Sequence, residues 1–339
     1  MTEKKQKKPT SFDVARLANV HRSAVSRALS GKGRVSEETR ERVIKAAQEL
    51  GYRVNYLARS LHDQNSGLVG IVASRLDTPY RALQVKIAAR DLLNKGYCPI
   101  LIVAEGDVAL SGLIDRLLNY NVAGMIVTSD SPPAGIIDEC KRLAVPVVLV
   151  NRDVGDVQAD RVQLDIEASG QMAFDMLRAA GGTRFAVLAP REQTYTVTGR
   201  ARAFAACCQA AELPVTMITP HRQNYVDGLE AADLLAAQDD SIDAVFCTTD
   251  LLALGCLDGM RVTYGRQIPQ DLQILGYDDI EQAGWLGNNL TTIKQDAGAA
   301  AVLAVELMQA RIEDATRPFE TATIPISPVW RGTTRKTAG

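Results

Sequence analysis

The chain has 339 residues, of which 46% are apolar, 23% charged and 5% aromatic, too long for one small domain and apolar enough for at least two packed cores. Residues 1–60 carry 14 Lys and Arg against 6 Asp and Glu, a net +8, which leaves 24 against 34, or −10, for the rest. That segregation is the electrostatic footprint of a phosphate-backbone binder and argues against a uniformly charged enzyme. The longest apolar runs, such as residues 144–150, fall far short of the roughly 18 residues of a membrane helix, so no membrane partner is expected. Lys4, Lys5, Lys7 and Lys8 make a basic tail over residues 1–9, and polar residues follow where a signal peptide would be apolar, so a cytoplasmic location is expected. Six cysteines without a CxxC pair, and three histidines, suggest no disulfide framework, metal site or cofactor. The cysteines read as small core residues.

From Thr10 the apolar residues become periodic. Thr10 with Asp13 predicts a capping box, and Val14, Ala15, Leu17 and Ala18 form a helical stripe. Ala18, Asn19 and Val20 form a tight turn. A second helix over residues 22–29 buries Val25, Ala28 and Leu29 and leaves Arg22, Ser23, Ser26 and Arg27 outward, which makes a helix-turn-helix. The glycine break at residues 31–33 precedes a third helix, capped by Ser36, with Glu37 and Glu38 in its first turn and Gly51 at its end. Arginine donates two parallel hydrogen bonds to guanine in the major groove and serine is adaptable, so Arg22, Ser23 and Arg27 are the natural base readers.

These residues resemble a known family. The run of residues 10–20, then Ala24-Val25-Ser26-Arg27-Ala28-Leu29, Val35-Ser36, Leu50-Gly51-Tyr52 and residues 57–61, is similar to the DNA-binding head of the lactose repressor and galactose repressor (LacI/GalR) family. The resemblance implies base contacts from Arg22, Ser23 and Arg27, with Thr10, Ala24, Ser26, Asn55 and Ala58 completing the DNA-contact set. It also implies a hinge helix over residues 55–61 whose Leu61 wedges into a minor-groove base step, bending the duplex. Three positions depart from the family pattern. Asn19 replaces a glycine, which asparagine's tolerance of positive φ accommodates. His21 replaces the serine that caps the second helix, at a cost of about 1 kcal/mol unless the imidazole finds a partner. Val54 replaces a proline before the hinge.

Beyond residue 67 short apolar runs alternate with amphipathic stretches. Strands are predicted at residues 68–73, 100–103, 124–128, 147–150, 185–189, 215–219, 244–248 and 273–276, with helices such as 83–94 and 170–180 between them. This predicts an α/β body of two lobes with parallel sheets, in agreement with the periplasmic-binding-protein-like fold that the resemblance implies. The end of the chain (residues 290–296, a helix at 299–314, and 323–330) is expected to cross back between the lobes. The expected domains are a tail (1–9), the helix-turn-helix domain (10–54), hinge and linker (55–65) and the body (66–339). Lobe 1 would take about 66–163 and 294–323, and lobe 2 about 164–293 and 324–335.

Ligands of open α/β sheets sit at the carboxyl ends of strands. The residues there are polar: Asp77, Tyr80, Asn151, Arg152, Arg200, Gln223, Thr249, Asp250 and Asp278. Such groups suit a hydroxyl-rich ligand. The resemblance assigns effector contacts to Asn151, Arg200, Asp250 and Asp278. Of the adjacent pair, Asp278 is expected to face inward and Asp279 away. Gln223 stands where relatives carry a stacking aromatic, so a more polar ligand face is implied. No GxGxxG after a strand, GxxxxGK[ST], GxSxG or HExxH occurs, and no catalytic residue is expected. The expectation is a homodimeric repressor of a pseudo-palindromic DNA operator, controlled by a sugar, sugar acid or sugar phosphate. The chain runs only nine residues past Trp330, so no tetramerisation helix is expected. The alternatives are a solute-binding protein and an enzyme of sugar metabolism.

Overall fold

The computed structural model describes residues 9–30, 34–53, 66–104, 112, 115, 117–128, 136–152, 155, 158–191, 194–238 and 241–335. They fall into two compact units that divide between Ser66 and Gly67. The first holds α1 (Ser11–Leu17), α2 (Arg22–Ser30) and α3 (Glu37–Glu49). Asp13 Oδ2 accepts the Thr10 amide at 2.9 Å and the Thr10 hydroxyl at 2.7 Å, which fixes the first turn of α1. Asn19 adopts φ 52°, and the Asn19 and Val20 amides donate to the carbonyls of Arg16 and Ala15, so the α1–α2 turn closes without glycine. Ser36 Oγ accepts the Thr39 amide and starts α3; Gly51, at φ 62°, ends it. Val14, Val25 and Val43 form the centre of the core, and five alanines around them let the helices approach closely.

The second unit is two six-stranded sheets with helices against them. The first sheet runs in the order β11-β5-β4-β3-β1-β2 and the second in the order β12-β10-β9-β8-β6-β7. The strands are β1 (Leu68–Ala73), β2 (Cys98–Val103), β3 (Gly124–Val127), β4 (Val147–Val150), β5 (Asp160–Leu164), β6 (Phe185–Leu188), β7 (Val215–Ile218), β8 (Ala244–Cys247), β9 (Gln273–Asp278), β10 (Thr291–Gln295), β11 (Thr321–Ile324) and β12 (Ile326–Val329). All neighbours are parallel except β10 and β12. The helices are α4 (Pro79–Asn94), α5 (Ile136–Arg142), α6 (Ile166–Ala179), α7 (Tyr195–Ala210), α8 (Tyr225–Ala236), α9 (Asp250–Asp258) and α10 (Ala297–Glu313). β1, β3, β4, β6 and β8 are buried along their whole length, as their continuous apolar runs require.

The chain passes between the sheets three times: from β5 into α6, from β10 into α10, and from β11 to β12 through Pro325. Residues 323–330, expected as one stretch, are therefore parts of two strands in different sheets. Asp165 and Asp296 cap the two crossing helices by accepting the amides of Ala168 and Ala299, each at 2.9 Å. The strand β5 was not expected from its polar sequence. Its Asp160 is 1% exposed and takes a fork from Arg311 of α10, Nε to Oδ2 at 2.8 Å and Nη2 to Oδ1 at 3.1 Å, while the Glu320 amide donates to the same Oδ1. Four cysteines are buried, but Cys98, expected in the core, is exposed on the edge strand β2, and Cys207 is half-buried. No described helix is long and apolar enough to cross a membrane.

Candidate functional site

In the first unit α2 presents its polar face outward. Arg22, Ser23, Ser26 and Arg27 are exposed, Ala24 is half-buried, and Thr10 is exposed at the start of α1. The Arg22 guanidinium lies 4.7 Å from the Phe12 ring centroid, which restrains a long side chain before any contact with a base. His21 compensates for the missing serine cap: its Nδ1 accepts the Ser23 amide at 3.3 Å and lies 2.9 Å from Ser23 Oγ, which in turn accepts from Arg27 Nη2 at 3.4 Å. A chain of polar contacts thus ties the start of the helix to Arg27. Asn55, Ala58 and Leu61, with Val54 and the basic tail through Lys8, lie outside the described residues.

In the second unit a cleft open to solvent lies at the carboxyl ends of the strands, where ligands of such sheets sit. Tyr80, Asn151, Arg200, Gln223, Thr249 and Asp278 line it. Arg200, on α7, is 3% exposed; its guanidinium stacks 4.0 Å from the Tyr277 ring centroid, and its Nη1 is 3.6 Å from Asp278 Oδ1. Asp278 Oδ1 also accepts Gln295 Nε2 at 2.6 Å. Asn151, at φ 55°, accepts the Leu164 amide with Oδ1 at 2.9 Å. The Thr249 hydroxyl caps α9 by accepting the Leu252 amide.

Asp77, Arg152 and Asp250 are not among the residues that line the cleft. Asp77 is exposed ahead of α4 and Arg152 is half-buried beyond the wall. Asp250 is fully buried beneath it, with Oδ1 accepting from Thr292 Oγ1 at 2.6 Å and Oδ2 from the Ile280 amide at 2.9 Å. Asp279 turns to Arg331, whose Nη2 donates to its Oδ1 at 2.6 Å. Burial, then the charge of Asp278, pushes the Asp250 carboxyl up to about 7. Burial likewise raises Asp278 to about 6, with Arg200 as the main opposing influence. The Tyr80 phenol is raised by burial and then by Asp278.

Sequence reasoning missed Arg75, Thr78, Arg81, Thr194, Thr196 and Gln295, all of which line the cleft. Arg75 follows β1 and Gln295 ends β10, so the strand-end rule already contained them; Thr78 and Thr194 sit at N-cap positions of α4 and α7. Five polar atoms of the wall are buried without a hydrogen-bond partner: Tyr80 Oη, Thr194 Oγ1, Arg200 Nε and Nη1, and Gln295 Oε1. Each leaves a capacity that a bound molecule could fill. Among the described residues no group of three or more His, Cys, Asp or Glu could hold a metal.

Residues 12–55 match the family described as "Bacterial regulatory proteins, lacI family", and residues 174–334 match the "Periplasmic binding protein-like domain". The ribose operon repressor of Bacillus subtilis (strain 168) is 30% identical over 331 residues, covering 96% of this chain and 99% of the relative. The chain belongs to the LacI family of bacterial regulatory proteins. This LacI-family member is a DNA-binding transcription regulator, with a helix-turn-helix head and a two-sheet α/β body. A CelR–cellobiose complex is 26% identical with a TM-score of 0.73, covering 96% of this chain and 99% of that one. The lac repressor dimer bound to operator and the anti-inducer ONPF superposes with a TM-score of 0.86 at 22% identity, over 97% and 100% of the two chains, a likeness of fold.

Proposed function

We propose that two copies of this chain grip a pseudo-palindromic operator as a repressor, and that a small polar effector in the cleft of the body changes the affinity for DNA. Two-fold symmetry in the protein calls for two-fold symmetry in the site. The observation that carries the effector reading is the cluster of buried, unpartnered polar atoms on Tyr80, Thr194, Arg200 and Gln295, because such groups are costly until something pairs them. A sugar, sugar acid or sugar phosphate has donors and acceptors at the required density. Relatives carry names such as ribose operon repressor, which fits that class. The family's members are DNA-binding regulators, which supports a non-catalytic role in the cytoplasm, where the DNA is.

The cleft adjoins the crossings between the sheets. Gln295 is the last residue of β10 and precedes the Asp296 cap of α10; Asn151 holds the Leu164 amide at the end of β5. A ligand that pulls on Asn151 and Gln295 therefore acts on two of the three crossings and favours one arrangement of the two sheets. The coupling to DNA binding is of the order of 1–3 kcal/mol and works in both directions. The residues proposed to touch the effector are Tyr80, Asn151, Arg200, Gln223, Thr249 and Asp278, with Asp250 fixing the backbone beyond Asp278 through the Ile280 amide. The residues proposed to touch DNA are Thr10, Arg22, Ser23, Ala24, Ser26 and Arg27, with Asn55, Ala58 and Leu61 in a hinge at residues 55–65.

Arg22→Ala is expected to lose about 1–3 kcal/mol of discrimination between operator and random DNA with little loss on random DNA; equal losses on both would refute base reading. Arg200→Ala is expected to abolish the effector response and leave operator binding intact. A solute-binding protein with this cleft would show neither effect on DNA.

A further inference from the structure

We infer that Phe12 is a positioning residue for base recognition, its ring holding Arg22 where the guanidinium meets a guanine in the major groove, an inference that rests on the base-reading role proposed for Arg22. Phe12 stands in the first turn of α1, off the stripe of Val14, Ala15 and Ala18 that packs the head, and is 63% exposed. A lone exposed apolar side chain is ordinary on a protein surface. What sets this one apart is its neighbour. The guanidinium of Arg22, on the next helix, lies over the ring at 4.7 Å from its centroid, well within the reach of a cation–π contact.

The ring is a rigid support. The Thr10–Asp13 capping box fixes the turn of α1 that carries Phe12, and Arg16 Nη2 donates to Asp13 Oδ1 at 2.7 Å. Val14 of α1 and Val25 of α2 share one core, and the turn closed by the Asn19 and Val20 amides joins the two helices. Phe12 is therefore set relative to the start of α2 before DNA arrives.

Arg22 needs such a support. It is the first residue of α2, whose first turn holds no acidic side chain. The amino-terminal end of a helix carries partial positive charge, so a cation there opposes the dipole. The face of an aromatic ring is its negative part and offsets some of that repulsion. Without the ring, repulsion and the many rotamers of a long side chain would spread the guanidinium through solvent. An aromatic face attracts the cation without supplying an oxygen acceptor, so the donor fork stays available for O6 and N7 of guanine, the base whose major-groove edge matches it. Arg27 is held differently, its Nη2 donating to Ser23 Oγ at 3.4 Å. The base that Arg27 reads therefore supplies an internal control.

The test selects duplexes from a random library with the full-length chain at moderate salt and reads the base preference at every position, for the unaltered chain and for Arg22→Ala, Phe12→Leu and Phe12→Tyr. Arg22→Ala is expected to erase a guanine preference at one position in each half-site. Phe12→Leu keeps an apolar side chain but has no π-face. It is expected to weaken the same preference by about threefold per head, or about tenfold for two heads, and to leave the other positions as they were. Phe12→Tyr is expected to keep the preference. A guanine preference that Arg22→Ala erases and Phe12→Leu leaves intact overturns the inference while base reading by Arg22 stands. A loss in Phe12→Leu at a different position, the sign of a ring that touches DNA itself, also overturns it, as does a loss spread evenly over all positions, the mark of a destabilised head. An Arg22→Ala profile with every preference intact overturns both readings.

Discussion

Asp250 on α9 and Asp278 on β9 are both buried, and burial raises the proton affinity of each, with the charge of Asp278 raising Asp250 further. Arg200 and Arg81 oppose the rise at Asp278, and Thr292 and the Ile280 amide oppose it at Asp250. The ordinary carboxyl value of 3.8 applies to the unfolded chain, against about 6 and 7 in the folded one. Between these limits the folded protein holds protons that the unfolded chain has released, so the ligand-free protein loses stability as pH rises from about 4 to 7. Melting temperatures of the ligand-free chain are expected to fall by a few degrees from pH 5 to pH 8, with the slope reduced in Asp250→Asn; a flat profile would contradict the shared burial. A β-carbon at Gly276 would run into Asp250 Oδ1. Gly276→Ala is therefore expected to destabilise the body by about 2 kcal/mol or more in urea titration, within the range of overpacked cores, and to blunt the effector response. Much of this site was legible in the sequence, since Arg200, Asp278 and Asn151 stand in recognisable runs. The burial of Asp250 was not, because its partners Thr292 and Ile280 reach it from distant parts of the chain. Nor was the place of Arg81 in the cleft wall, which needed α4 to begin at Pro79 instead of near residue 83.

The elements divide by how local their causes are. β1 and β4 occupy the apolar runs that predict them, and the head follows its caps almost residue by residue, with α2 running through Ser30. β5 was illegible: its sequence, Asp-Arg-Val-Gln-Leu, alternates, but its first inward residue is an aspartate whose partners, Arg311 and the Glu320 amide, lie 151 and 160 residues later. That pair also holds the chain leaving α10, since Arg311 Nη2 donates to the Pro318 carbonyl and the Glu320 amide donates to Asp160. Removing one partner leaves a buried charge, so Arg311→Met is expected to cost about 3–5 kcal/mol, measured by chemical denaturation, with hydrogen exchange rising first in β11 and β5. The double substitution Arg311→Met, Asp160→Leu should recover most of the loss. In the head, Asn19→Val forces a β-branched residue into positive φ, and a loss of about 1–2 kcal/mol is expected, with Asn19→Gly tolerated. Calorimetric melting of residues 1–66 would measure both.

At the scale of the whole molecule, a cationic head with an exposed arginine face shares one chain with an anionic body whose cleft contains unfilled hydrogen-bonding groups. The charge split alone separates the two roles along the chain, because a segregation of charge by sequence position survives folding into separate units. The crossings of the chain between the two sheets were visible only in part, since β11 and β12 are each too short to announce which sheet they join. The control of one function by the other requires that effector and DNA affect each other's binding equally. The most direct test incubates the full-length protein with sheared genomic fragments at moderate salt, with and without sugars, sugar acids and sugar phosphates, and sequences what is retained. Enrichment of a few fragments that share a two-fold symmetric element, with retention shifted by the small molecule, is the expected result. Uniform retention of all fragments, falling only with salt and indifferent to every small molecule, would contradict the account.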